Sequence, residues 1–123
     1  MAIWQTDRMH LASAEQAQRR IIDEHKVCEA IEGIGDPANA QIWAQRFAVL
    51  GDPTRLRLLL CIKAAGPISV SDLAVAADLN DAAVSQTLRF LRATRAVTAE
   101  RDGRVIRYRI ADAIIGELLA QVN

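Results

Sequence analysis

Val84, Leu88 and Leu91 recur at i, i+4 and i+7, an apolar stripe along an otherwise polar stretch. The spacing predicts a helix over residues 80–95, with Asn80 as N-cap and Asp81 as an acid in its first turn. Its other sides carry Ser85, Gln86, Thr87, Arg89, Arg92 and Arg95. Just upstream, residues 69–78 predict a shorter helix with a Ser69–Asp72 capping box, joined to the first through a tight connection at Leu79. Two helices meeting at a short turn, the second with an exposed polar side, give a helix-turn-helix layout.

The same patterning divides the rest of the chain. Residues 1–12 have no sustained period and are expected to form a flexible arm ahead of a single domain over residues 13–123. Residues 13–32 predict one long helix with an imperfect apolar side (Ala14, Ala17, Ile21, Ile22, Val27, Cys28, Ile31), closed by Gly33, Gly35 and Pro37. A helix over residues 37–50 follows, with Asp36 as N-cap and Pro37 at the first helical position. Residues 54–65 are apolar nearly all round, as expected of a central core helix. Residues 97–101 and 104–110 predict two strands around Asp102-Gly103, a tight hairpin turn. Val105, Tyr108 and Ile110 are expected toward the core. Residues 112–122 predict a last amphipathic helix which, with the long first helix, could build a dimer interface.

Composition narrows the class. Apolar residues make up 51% of 123 and aromatics only 4%, so an aliphatic, helix-dominated core is expected. Net charge is zero, but residues 89–109 hold seven arginines against two acids, whereas residues 1–50 hold five basic residues against seven acids. One basic end on a neutral chain suits a nucleic-acid surface opposite a regulatory or dimerising one. No run approaches the ~20 apolar residues of a membrane span, no secretory pattern opens the chain, and two cysteines make no disulfide framework; the expected location is cytoplasmic. No nucleophile with its base, phosphate-cradling glycine loop or carboxylate pair argues for an enzyme.

Four segments in this order, FAVLGDPTRLRLLL (47–60), SVSDLA (69–74), AAVSQTLRFLR (82–92) and GRVIRYRIAD (103–112), resemble the ArsR/SmtB-like winged helix-turn-helix repressors over roughly residues 47–119. The resemblance implies a mainly α fold with a β-hairpin wing (α+β) and a homodimer. It also implies a palindromic operator in double-stranded DNA, read by two helices about 34–36 Å apart, and release by an inducer. On position, Ser85, Gln86 and Arg89 are candidates for base or neighbouring phosphate contacts, with Asn80, Thr87 and Arg92 beside them. Arg101 and Arg104 are the wing's candidates for the flanking minor groove or backbone.

The usual sensor positions of such relatives are changed here. Ser69 and Ser71 stand where cysteines are common, leaving Asp72; Ala65 precedes the Gly-Pro turn; Ile114 replaces a histidine two residues after Asp112. What remains is His25 and Cys28, one helical turn apart, with Cys61 elsewhere. These three are the candidate ligands for a divalent or thiophilic ion of the zinc, cadmium, lead, nickel or arsenic type. The alternatives are a reversible Cys28–Cys61 disulfide, which needs Cα atoms within about 7 Å, and a winged-helix module with no inducer.

Overall fold

The computed structural model describes residues 11–123, so the arm, with Trp4 and His10, lies outside the described residues except for Leu11 and Ala12. The chain divides into two compact units whose boundary, between Ala44 and Gln45, falls within one helix.

In the first unit the expected single helix over residues 13–32 is instead two. Ser13 caps α1 (Ala14–Gln18) in a reciprocal box: its hydroxyl accepts from the Gln16 amide at 3.2 Å, and the Gln16 side chain accepts from the Ser13 amide at 2.7 Å. Arg19 is already extended, and Asp23 accepts from the Lys26 amide to start α2 (Glu24–Ile34). A short acid such as Asp23 competes for backbone amides and so starts a helix more readily than it continues one. Gly33 lies inside α2; the turn belongs to Gly35, at φ +66°. Asp36 then accepts from the Ala38 amide and α3 (Pro37–Leu50) begins.

The second unit is built around α4 (Pro53–Ala65), capped by Asp52, whose Leu58, Leu59 and Ile62 are wholly enclosed. Around them close Val49, Leu73, Ala74 and Ala77 of α5 (Val70–Ala77), Val84, Leu88 and Leu91 of α6 (Asp81–Ala93), then Ala96, Val97, Ile115 and Leu119. All are aliphatic, as the composition required.

Both helices of the helix-turn-helix end in the same way. Asp78 (φ +56°) and Arg95 (φ +64°) take the left-handed position normally given to glycine. The following amides, Leu79 and Ala96, each reach back to Ala74 and Leu91 carbonyls at 2.9 Å. This six-to-one closure sets the tight turn through Leu79, whose side chain joins the core.

The sheet has three antiparallel strands in the order β1 (Ile68–Ser69), β3 (Val105–Ile110), β2 (Val97–Asp102). The short β1, unexpected from sequence, pairs Ile68 with Tyr108 and Ser69 with Arg107. In the hairpin Asp102 faces Val105, so the turn is Gly103-Arg104 rather than Asp102-Gly103, with Gly103 at φ +66°. Strand alternation corrects a second expectation. Tyr108 and Ile110 pack against the core, but Val105 is on the opposite side and exposed. At Gly66 the end of α4 meets β3 closely: a Cβ there would come within 2.5 Å of the Ile62 carbonyl and 3.2 Å of the Tyr108 carbonyl.

The last helix, α7 (Ala113–Ala120), turns Ile115 and Leu119 into the unit's own core, so only part of its apolar surface is left for a partner. Ile114 and Leu118 stay half-buried and Val122 exposed.

Candidate nucleic-acid interface

The stripe of Val84, Leu88 and Leu91 fixes the rotation of α6 by burying one side completely. Ser85, Gln86, Arg89 and Arg92 consequently lie outward and exposed. Two of the expected candidates are engaged with the helix itself. The Asn80 side-chain oxygen accepts from the Ala83 amide at 2.8 Å. The half-buried Thr87 hydroxyl donates to the Ala83 carbonyl at 3.0 Å.

On the hairpin the arginines fall into two groups. Arg107 pairs with Asp102, and Arg109 lies 3.5 Å from Glu100, so the two acids of this region each meet a cation. Arg101 and Arg104, beside the turn, and Arg89 and Arg92, on α6, meet no carboxylate among the described residues. Between α6 and β3 lies a shallow groove of about 310 Å³, lined by Ser85, Arg89, Arg92 and Tyr108. Tyr108 was expected only as a core residue. Its distance of 16 positions from Arg92 in the chain hides a proximity that appears once β3 returns alongside β2.

Three arginines that spacing did not single out bind helix ends around this surface and behind it. Arg55 donates to the carbonyls of Ala48 (2.7 Å) and Val49 (3.0 Å), closing the end of α3, and its guanidinium lies over the ring of Phe90 on α6. Arg57 donates to the Ala77 carbonyl at the end of α5 (3.3 Å). Arg46 donates to Asp112 at 3.1 Å. Partial burial pushes the Asp112 carboxyl up. The Arg46 hydrogen bond, the amides of Ile115 and Ile114 and the charge of Arg46 together outweigh that and hold it below the ordinary carboxylate value. These are cationic side chains used at helix ends, which spacing alone does not distinguish from a solvated face.

The candidate sensor residues are spread over two helices. His25 is exposed and Cys28 buried on α2, and Cys61 is half-buried on α4. Neither cysteine is in a disulfide. Among the described residues no group of three or more His, Cys, Asp or Glu side chains comes together. A zinc-like ion wants about four ligands, so the donors brought together in one chain do not fit a resident ion.

Unneutralised arginines beside short polar side chains on an outward helix are what a duplex demands, phosphates meeting the cations and base edges the small groups. With the hairpin behind the second helix, the class is a winged helix-turn-helix DNA-binding domain. A helix-turn-helix domain family matches residues 50–98. The chain is 41% identical over 83 residues to a transcriptional repressor SmtB homolog of Synechocystis, covering 68% of this chain and 62% of that protein's length. It is 39% identical to the HTH-type transcriptional regulator NmtR of Mycobacterium tuberculosis, covering 67% of each. Among solved structures, the antimony-specific repressor AntR superposes with a TM-score of 0.60 at 30% identity, over 90% of this chain and 88% of that one. The homodimeric winged helix-turn-helix domain of a Mycobacterium bovis protein gives 0.61 at 29% identity, over 70% and 79%. The chain belongs to the ArsR/SmtB-like family of transcriptional repressors. No helix of the described residues is long and apolar enough to cross a membrane.

Proposed function

We propose that this chain is a cytoplasmic repressor that binds a palindromic operator as a homodimer and is released by an inducer. The observation that carries the reading is the outward surface of α6, where Ser85, Gln86, Arg89 and Arg92 are exposed and the arginines meet no acid among the described residues. Each copy lays α6 in a major groove, Gln86 at base edges, with Asn80 and Thr87 bordering the contact and Arg101 and Arg104 on the flanking backbone. Ile114, Leu118 and Val122, spaced i, i+4, i+8 on and just after α7, form the stripe against a second copy. The homodimeric mycobacterial domain supports that assembly.

The inducer on this reading is a thiophilic ion, with Cys28, Cys61 and His25 as its candidate donors and no single-chain site assigned to it. Support comes from the chemistry of these donors and from the antimony specificity of AntR. Because one chain groups too few donors, no release step is derived through the ion. Any inducer must bind the free and operator-bound forms with different affinity, since equal binding shifts nothing.

The test is selection of a duplex from a random pool, followed by sedimentation of protein and complex. Two protomers per duplex, and release by antimonite or cadmium that Cys28→Ser or Cys61→Ser abolishes, are expected. A monomer at working concentration would remove the dimer, and ion-independent binding would remove the inducer.

A further inference from the structure

We infer that the groove between α6 and β3 seats one backbone phosphate of the duplex, with Tyr108 as its neutral donor and Arg89, Arg92 and Ser85 as the rest of the cradle. The inference rests on the DNA-binding reading above and assigns roles within it.

Ser85, Arg89 and Arg92 stand at i, i+4 and i+7, so they share one side of α6, and Tyr108 closes the groove from the wing. Two guanidinium groups, a hydroxyl and a phenol supply donors and positive charge, the chemistry of an oxyanion site. Neither arginine is neutralised among the described residues, although the same hairpin neutralises Arg107 and Arg109 with its two acids. The Tyr108 hydroxyl likewise has no hydrogen-bond partner among the described residues. The groove is open rather than enclosed, which suits a phosphodiester on a long polymer better than a small free anion that must be surrounded to be held. Gln86 is not on the groove. The division of labour that follows gives sequence reading to Gln86 and register to the Ser85–Arg89–Arg92–Tyr108 set. It withdraws Ser85 and Arg89 from base contact.

The experiment measures full-chain binding to the selected duplex and to a scrambled one by fluorescence anisotropy, across sodium chloride concentrations. Variants are Tyr108→Phe, the double Arg89→Ala/Arg92→Ala, and Gln86→Ala, each checked for an unchanged far-ultraviolet spectrum and Tm. Tyr108→Phe is expected to weaken both duplexes about ten-fold, as for loss of a hydrogen bond to a charged group. The double variant should make the negative slope of log affinity against log salt shallower by about 0.9, one phosphate's worth. Gln86→Ala should bring the two duplexes together in affinity. Binding by Tyr108→Phe within two-fold of wild type, or a loss in either groove variant confined to the selected duplex, overturns the inference while leaving the repressor reading intact. Wild-type protein that binds neither duplex overturns both. Inorganic phosphate raising Tm over chloride of equal ionic strength, with duplex binding untouched by the double variant, assigns the groove to a free anion and overturns the duplex seat.

Discussion

The guanidinium of Arg55 lies 4.7 Å from the centre of the Phe90 ring, and the same group closes the last turn of α3 through two carbonyls. One side chain thus ties the end of α3 to α6. Charge-assisted bonds to carbonyls contribute about 1.5–3 kcal/mol, and an exposed cation over a ring about 0.5–1 kcal/mol. Arg55→Ala is expected to lower unfolding free energy by about 2–3 kcal/mol in urea titrations, and Phe90→Leu by under about 1 kcal/mol. The double variant should fall short of the sum; strict additivity would show that the ring contact contributes nothing.

Asp112 supplies a pH signature. Its carboxylate caps α7 through the amides of Ile114 (2.9 Å) and Ile115 (3.3 Å) and meets Arg46, and its pKa is lowered in the folded chain. A depressed carboxyl contributes stability above its unfolded value of about 3.9 and loses it as pH falls through the folded value. Asp112→Asn keeps an oxygen for the cap and removes the charge. It should cost about 1–2 kcal/mol at pH 7, with the gap to wild type closing below about pH 4. A gap constant from pH 7 to pH 3 would show that the charge is not its source.

The left-handed residue after α5 is an opportunity. Asp78 holds φ +56°, exposed, at the negative end of a helix. A non-glycine residue there costs about 1 kcal/mol or more, and an acid at a helix C-terminus adds to that cost. Asp78→Gly should therefore raise unfolding free energy by about 1 kcal/mol, read as a higher urea midpoint with an unchanged slope. A lower midpoint would point to a role for the carboxylate that its position does not suggest.

The hairpin arginines should separate by their partners. Arg101→Ala and Arg104→Ala are expected to weaken duplex binding about three- to ten-fold each at low salt, with smaller losses as salt rises. Arg107→Ala and Arg109→Ala, whose charges already face Asp102 and Glu100, should change it less than two-fold. Equal losses at all four positions would mean that these ion pairs dissolve on the duplex.

Helix α6 was legible from sequence because its stripe and its N-cap say the same thing. Val84, Leu88 and Leu91 are the three residues of α6 that are buried, and Asn80 is its cap. The central helix was legible from its nearly all-round apolar character, and the two hairpin strands from the turn residues between them, although the turn itself lies one residue further on. The break at residues 19–23 was not, because the apolar positions on its two sides mimic one helix while Asp23 caps a new one. Nor were the closures at Asp78 and Arg95, where the chain uses an acid and a base in place of glycine. Tyr108 in the groove escaped because its neighbours across the groove lie on α6, and the antiparallel pairing that returns β3 alongside β2 leaves no period linking the two segments. His25 and Cys28 stand one helical turn apart, but no period links them to Cys61, and donor chemistry alone does not make a site.

The contact at Gly66 has a bearing on how this scaffold could be re-used. Because the wing is moored to the innermost helix through Gly66 and β1, its aim does not depend on which side chains α6 presents to solvent. On the reading proposed above, exchanging Gln86 redirects the protein to a different duplex sequence while the hairpin keeps its heading. Filling Gly66 with a methyl group would shift wing and core together. The molecule is in this sense a chassis whose exposed α6 side chains can change independently of its wing, and the glycine is its keystone.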